Sequence, residues 1–358
     1  MHTVLFAMLH AAQCVEIPQP LARTTSWGRV VLMGTRSAKD TVEALVAVRT
    51  RRELLKNVTY RCDHVTVTPQ TRLSAAASVY DVAARVVRCP RQTSHIRVSA
   101  GGGAAELPLA TPPSFPAAKA TACLSPVYGA RAAEHFREYA AYHRAVGVDR
   151  FVVWDPTHAL GPAPADVHVG NFSFQDALGT AGGRPSRGRT LAGLQLALQY
   201  CAFAFSADAL LLLNLDLDEF LSCDAFADPK TRSVGAAVAA INARPWFRKK
   251  PRPCVCFPRV LFNDSAPTPH LRRVPVARQR NRKCAVDPAR LDAVSLHKPS
   301  CFGGVVHVDH GDSCRVAHRR RWTGFVRAGR PVDDGVLVDG GAPPATDLDW
   351  WDSRAGAR

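Results

Sequence analysis

Two aspartates two residues apart, Asp216 and Asp218, close an apolar run and are followed at once by a glutamate: Leu210-Leu211-Leu212-Leu213-Asn214-Leu215-Asp216-Leu217-Asp218-Glu219-Phe220-Leu221. The apolar part reads as a strand buried on both faces, as at the centre of a parallel sheet. Where a chain leaves such a sheet, strict side-chain alternation ends, so both carboxylates can turn toward one ion. Ligands of open α/β sheets sit beyond the carboxyl ends of the strands, which is where this pair falls. Three acids at the mouth of an apolar strand are costly unless something positive sits among them. A hard Mg²⁺-like cation holding a diphosphate answers that need, since such ions are bound through one or two carboxylates plus substrate phosphates. The rival reading is a strand that simply ends in a solvated acidic turn.

The elements around this run must bring it to a crevice. Ala122–Val127 reads as a strand, and Ala132–Ala145 as a helix with apolar positions at helical spacing, capped by Gly147. Arg150–Trp154 is a second strand. A Gly- and Pro-rich loop over Gly179–Gly188 leads to a helix at Leu191–Phe205, then to the acidic strand at Leu210–Leu215. Strands alternating with helices predict a parallel sheet with right-handed crossovers. Upstream, Arg29–Met33, Val58–Cys62 and Val82–Cys89 are Val-rich strands between polar turns, where Cys62 and Cys89 could be bridged. The Gly101-Gly102-Gly103 run and Pro108–Pro116 read as a linker. The expected organisation is an N-terminal segment (1–28), a small β-rich accessory region (29–100), a linker (101–119), the α/β domain (120–330) and a loosely ordered tail (331–358).

The whole chain, 358 residues with 47% hydrophobic and 21% charged residues, has a globular composition. Its formal net charge of +16 invites a nucleic-acid reading. The arginines are scattered, however, the densest cluster being Arg319-Arg320-Arg321, and no zinc-finger spacing, RNA-binding aromatic signature or basic helix with heptads accompanies them. A cationic excess equally suits a nucleotide diphosphate or an acidic polysaccharide. The eleven cysteines are dispersed, with Cys254 and Cys256 as Cys-x-Cys and no Cys-x-x-Cys, which disfavours structural zinc. Sequons begin at Asn57, Asn171 and Asn263; with many cysteines they favour the secretory lumen. Met1 to Ala12 is apolar, but it is too short to span a bilayer and lacks the basic flank of a signal peptide. Membrane attachment would therefore need an anchor not visible in this chain. A homodimer is left open.

Several ordered blocks resemble glycosyltransferase family 92. They are Cys123-Leu124-Ser125-Pro126-Val127-Tyr128-Gly129, Glu138-Tyr139, Tyr142-His143-Arg144 and Gly147 through Asp155. Gln195, Tyr200 and Cys201 precede the acidic run, and Phe257-Pro258-Arg259-Val260-Leu261-Phe262, Lys283 and His297 follow it. The likeness spans residues 120–312, and residues 55–92 are similar to the region before the transferase domain in plant galactan synthases of that family. Tyr139 stands where the family usually has Trp, and Trp154 where it often has Tyr. The resemblance implies a GT-A, Rossmann-like fold using a nucleotide sugar, typically UDP-galactose, with Mn²⁺. It also implies inverting transfer to a glycan or polysaccharide acceptor in the Golgi.

Under that resemblance the residues take roles. Asp216 and Asp218 would carry the metal, neutralising the diphosphate as the glycosidic bond breaks. Glu219 would orient them or simply pair with an arginine. A third ligand would come from His297, His307 or His310, with His310 favoured at the end of Val305–His310, and His297 could contact phosphate instead. Trp154 and Asp155 close the second strand, where a uracil ring could stack and be hydrogen-bonded; Tyr128 and Arg131 follow the first strand in the same way. Arg189 and Lys283 are candidates for the diphosphate oxygens. Inversion needs a base for the acceptor hydroxyl, with Asp264 and Glu219 as rivals.

Overall fold

Residues 187–205 explain the layering. The helix Arg187–Phe205 carries Leu196, Ala197, Leu198, Tyr200, Cys201, Ala202, Phe203 and Phe205 all buried, so its second half is enclosed on every side. A helix of that kind must be covered on every side. One flank meets a five-stranded antiparallel sheet through Val31, Met33, Leu45, Ala47, Val82, Ala84 and Val86. The other meets the large sheet through Cys123, Val152, Trp154, Leu212, Cys254 and Cys284. This computed structural model describes residues 16–75, 82–127, 131–179, 187–226, 232–244, 252–263, 270–272, 282–293, 299–308 and 314–319.

The five-stranded sheet has the strand order Leu21–Thr24, Gly28–Ala38, Thr41–Thr50, Val82–Pro90, Gln70–Ala75. Thr41–Thr50 is buried on both faces because it lies at the centre of three layers. Its second face, with Val30, Leu32, Ala44, Val46, Val48 and Val87, packs on Tyr60, Cys62, Ile96, Val98 and Leu107 of an outer four-stranded antiparallel sheet. Cys62 and Cys89 form a disulfide across this seam. Gly101 and Gly102, read above as linker, are a two-residue hairpin turn joining His95–Ala100 to Gly103–Pro108, both at positive φ (54° and 82°). That pairing is the type I′ signature, whose twist matches the strands it joins.

In the large sheet Val167–Gly170, Arg150–Trp154, Ala118–Leu124 and Ala209–Leu215 run parallel. Lys283–Val286 then pairs antiparallel with Ala209–Leu215, Cys254–Phe257 antiparallel with Lys283–Val286, and Val305–His307 parallel with Cys254–Phe257. Helices Ala132–Ala145 and Val234–Asn242 cover the far face around Phe136, Tyr139, Phe151, Val153, Leu213, Phe220 and Val255.

The expected α/β, Rossmann-like GT-A class is corrected by this architecture. Among the described residues strand accounts for 45% against 21% helix. Three of the five sheets these residues form are purely antiparallel, and the large one is mixed. Two causes stand out. Upstream, Gly28–Ala38 turns straight back into Thr41–Thr50, and His95–Ala100 into Gly103–Pro108, the latter pair alternating buried and exposed residues; such short connections build hairpins rather than crossovers. Beside Ala209–Leu215 the next strand, Lys283–Val286, runs antiparallel and interrupts the parallel run. Disulfides also join Cys123 to Cys201, Cys223 to Cys314, Cys254 to Cys301 and Cys256 to Cys284.

Candidate functional site

The register of the large sheet dictates which side chains meet at its upper edge. Leu124 pairs with Leu215, so Ser125 and Asp216 leave the sheet side by side, and the Ser125 hydroxyl donates to Asp216 Oδ1 at 2.5 Å. Leu213 pairs antiparallel with Ala285. Lys283 therefore begins its strand where Ala209–Leu215 ends, and its ammonium lies 2.8 Å from Asp216 Oδ2 and 3.2 Å from Glu219 Oε2. The four residues 216–219 fold into a tight turn: the Glu219 amide donates to the Asp216 carbonyl at 3.0 Å, and the Asp216 amide donates to Glu219 Oε2 at 2.9 Å.

Exposure separates the three acids. The Asp216 side chain is 33% exposed, whereas Asp218 and Glu219 are enclosed. Lys283 is only 1% exposed. Burial alone would pull its pKa down, but Asp216 and Glu219 outweigh it and hold it above the usual lysine value. The positive group that three acids at a strand mouth require is thus supplied by the chain itself. Lys283, expected at a diphosphate, is turned inward onto carboxylates.

Helix Ala132–Ala145 floors this turn. His135, Phe136, Tyr139 and His143 recur along one buried face. Tyr139 is fully enclosed, and burial together with the nearby Glu219 and Asp216 charges drives its hydroxyl well above the ordinary range. His143 lies 5.7 Å from Phe220, ring parallel to ring, and its Nδ1–H donates to the Tyr139 carbonyl at 2.9 Å, since a carbonyl can only accept. Burial pushes its pKa down to about 3, so the ring is neutral. His135 is lowered too, first by burial and then by Arg131, while Glu134 and Asp218 pull the other way.

Comparison with family models and with curated proteins returns no match.

The remaining sequence-based candidates scatter. Trp154 is fully buried among Phe172, Phe174 and Tyr200, and a Cβ at Gly170 would stand 2.4 Å from its ring, so it offers no open face to a base. The Asp155 carboxylate accepts from the Ala159 and Leu160 amides at 2.9 and 2.8 Å, which fixes the loop that follows its strand. Arg131 is exposed and paired with Glu134 at 2.8 Å. Glu219 is enclosed, so it shapes the turn rather than meeting an acceptor hydroxyl. His307 ends Val305–His307, away from Asp216, in register with Cys256. Arg189 lies in helix Arg187–Phe205, with its side chain outside the described residues. Tyr128, Asp264, His297 and His310 lie outside them altogether.

Sequence reasoning missed Ser125 and His135. Ser125 was findable, being one residue past a strand, as Asp216 is. His135 lies three residues into a helix, and nothing local marks it.

The donor set suits a hard divalent ion. Both candidate ligands are carboxylates, and Asp216 is oriented by Ser125 on one oxygen and by Lys283 on the other. Among the described residues no group of three or more His, Cys, Asp and Glu side chains forms a metal-ligand cluster. An Mn²⁺- or Mg²⁺-like ion held by one or two carboxylates and completed by substrate phosphates needs none.

Proposed function

We propose that this chain is a metal-dependent inverting glycosyltransferase of the secretory lumen. It moves a hexose, galactose from UDP-galactose by its family resemblance, to a glycan acceptor. The observation that carries this reading is the acid turn Asp216–Glu219 at the end of a parallel strand, with one half-exposed carboxylate clamped by Ser125 and Lys283. Five disulfides support the lumenal compartment, because such bonds persist where the environment oxidises.

A bound divalent ion supplies charge neutralisation for the departing diphosphate. Asp216 and Asp218 are the residues that would hold it. The acceptor hydroxyl oxygen attacks the anomeric carbon while its proton passes to a carboxylate base, for which Asp264 is the remaining sequence candidate; the bond from that carbon to the diphosphate oxygen breaks, and UDP leaves with the electron pair. Ser125 and Lys283 fix the Asp216 carboxylate before substrate arrives, so its reorientation costs nothing during the reaction. Glu219 and Tyr139 exclude water from beneath the turn.

The test is UDP release from a panel of UDP-sugars with Mn²⁺, with and without chelator. Chelator should abolish release. Asp218→Ala should lower it by about 100-fold or more, the scale of deleting one preorganised electrostatic group, with far-UV circular dichroism unchanged. No release from any donor, together with UDP binding indifferent to Mn²⁺, defeats the proposal.

A further inference from the structure

We propose that Asn57 carries an N-linked glycan and that Asn171 does not. The three sequons differ in what the fold has done with them. Asn57 is exposed in the turn between the short helix Arg52–Leu55 and the strand Thr59–Cys62, its amide N–H donating to the Leu54 carbonyl at 3.0 Å. Its side-chain amide has no hydrogen-bond partner among the described residues. Thr59, the sequon hydroxyl, is exposed as well. Val58 between them points inward against the core of the outer sheet. Asn57 and Thr59 are therefore both presented on the solvent side. The turn belongs to the outermost layer, so a bulky sugar there displaces nothing.

Asn171 has been used otherwise. It follows Val167–Gly170 at the same edge of the large sheet from which Ser125 and Asp216 project. Its Nδ2 donates to Glu16 at 3.1 Å, Phe172 is buried against Trp154, and Ser173 Oγ accepts the Asp176 amide. Asn263 ends a strand in register with His270.

The modification joins the Asn57 amide nitrogen to C1 of an oligosaccharide carried on a lipid diphosphate. The C1–O bond to the lipid diphosphate breaks, the lipid diphosphate leaves with the electron pair, and the amide proton passes to the modifying enzyme. The inference rests on the lumenal part of the proposed function and is independent of the transferase activity.

The experiment expresses the full chain behind a secretion signal in a eukaryotic host and compares intact mass before and after peptide N-glycosidase. Wild type should lose one glycan more than Asn57→Gln does, and Thr59→Ala should behave like Asn57→Gln. Asn171→Gln should match wild type. A folded, disulfide-bonded product whose glycan count is unchanged by Asn57→Gln, or falls with Asn171→Gln, overturns the inference. An inactive transferase with a glycan at Asn57 would sink the catalytic proposal alone.

Discussion

Replacing Lys283 with Met keeps the length of the buried stem and removes an ammonium that bridges Asp216 and Glu219. At an effective dielectric of about 20, contacts of 2.8 and 3.2 Å represent roughly 6 and 5 kcal/mol of gross attraction. Most of this is offset by the cost of burying the ions. What remains after deletion is Glu219, 0% exposed, with its negative charge no longer countered by Lys283. Breaking one side of a buried pair costs about 3–5 kcal/mol for that reason. With a urea slope of about 2–3 kcal/mol per molar, the midpoint should fall by roughly 1–2 M. The assay is urea unfolding with disulfides intact, followed by tryptophan fluorescence. The double variant Lys283→Met/Glu219→Gln should recover most of the loss, because the enclosed group is then neutral. Asp216, a third exposed, is expected to remain solvated in both. If Lys283→Met unfolds within about 1 kcal/mol of wild type, or the double variant is no better than the single, the buried-pair account is wrong.

Other expectations follow from the same physics. His143, held at about 3 against an ordinary 6.5, is neutral in the fold and protonates when unfolded, so its contribution is intact above pH 6.5 and drains as pH falls toward 3. At pH 4.5 the loss is about 2.7 kcal/mol, so His143→Phe should be less acid-sensitive than wild type by that amount in urea midpoints at pH 7 and 4.5. Arg36 joins buried Glu43 to the Phe203 carbonyl and to Ser206 at the end of the long helix. Arg36→Ala should cost about 1–3 kcal/mol and speed amide exchange in the last turn before Phe205. Gly34→Ala would set a Cβ 2.6 Å from the Tyr200 ring and should destabilise by about 1–3 kcal/mol, whereas Gly235→Ala meets nothing within 4 Å and should stabilise by about 0.5–1 kcal/mol. Thermal melts distinguish the two.

Local signals were legible and long-range ones were not. The helix Ala132–Ala145 and the strand Arg150–Trp154 carry their bounds in the sequence, because a 3.6-residue apolar stripe and a Gly147 at positive φ (84°) are local devices. The acidic strand is equally plain; it runs Ala209–Leu215. What lies beside it is not, since the strand bearing Lys283 comes 67 residues after Asp216 and its antiparallel sense leaves no period to read. The same holds for Trp154 and Asp155. Their place after a strand suggested a ligand site, but the burial of one and the loop bonds of the other depend on Phe172, Tyr200 and Leu160, which only the folded chain brings near.

The bridges downstream of the acid turn have one more consequence. Cys256–Cys284 lies inside Cys254–Cys301, which lies inside Cys223–Cys314. The three loops are nested without interlocking, so no closure has to thread another. Between Cys223 and Cys314 the polypeptide is therefore a covalent ring, and one backbone cut anywhere inside it leaves both pieces attached. Lys283 stays tethered to Asp216 even when the peptide path between Cys223 and Lys283 is broken. For this segment sequence order is dispensable once oxidation is complete, and new chain ends could be opened there without losing the cation that holds the acids together.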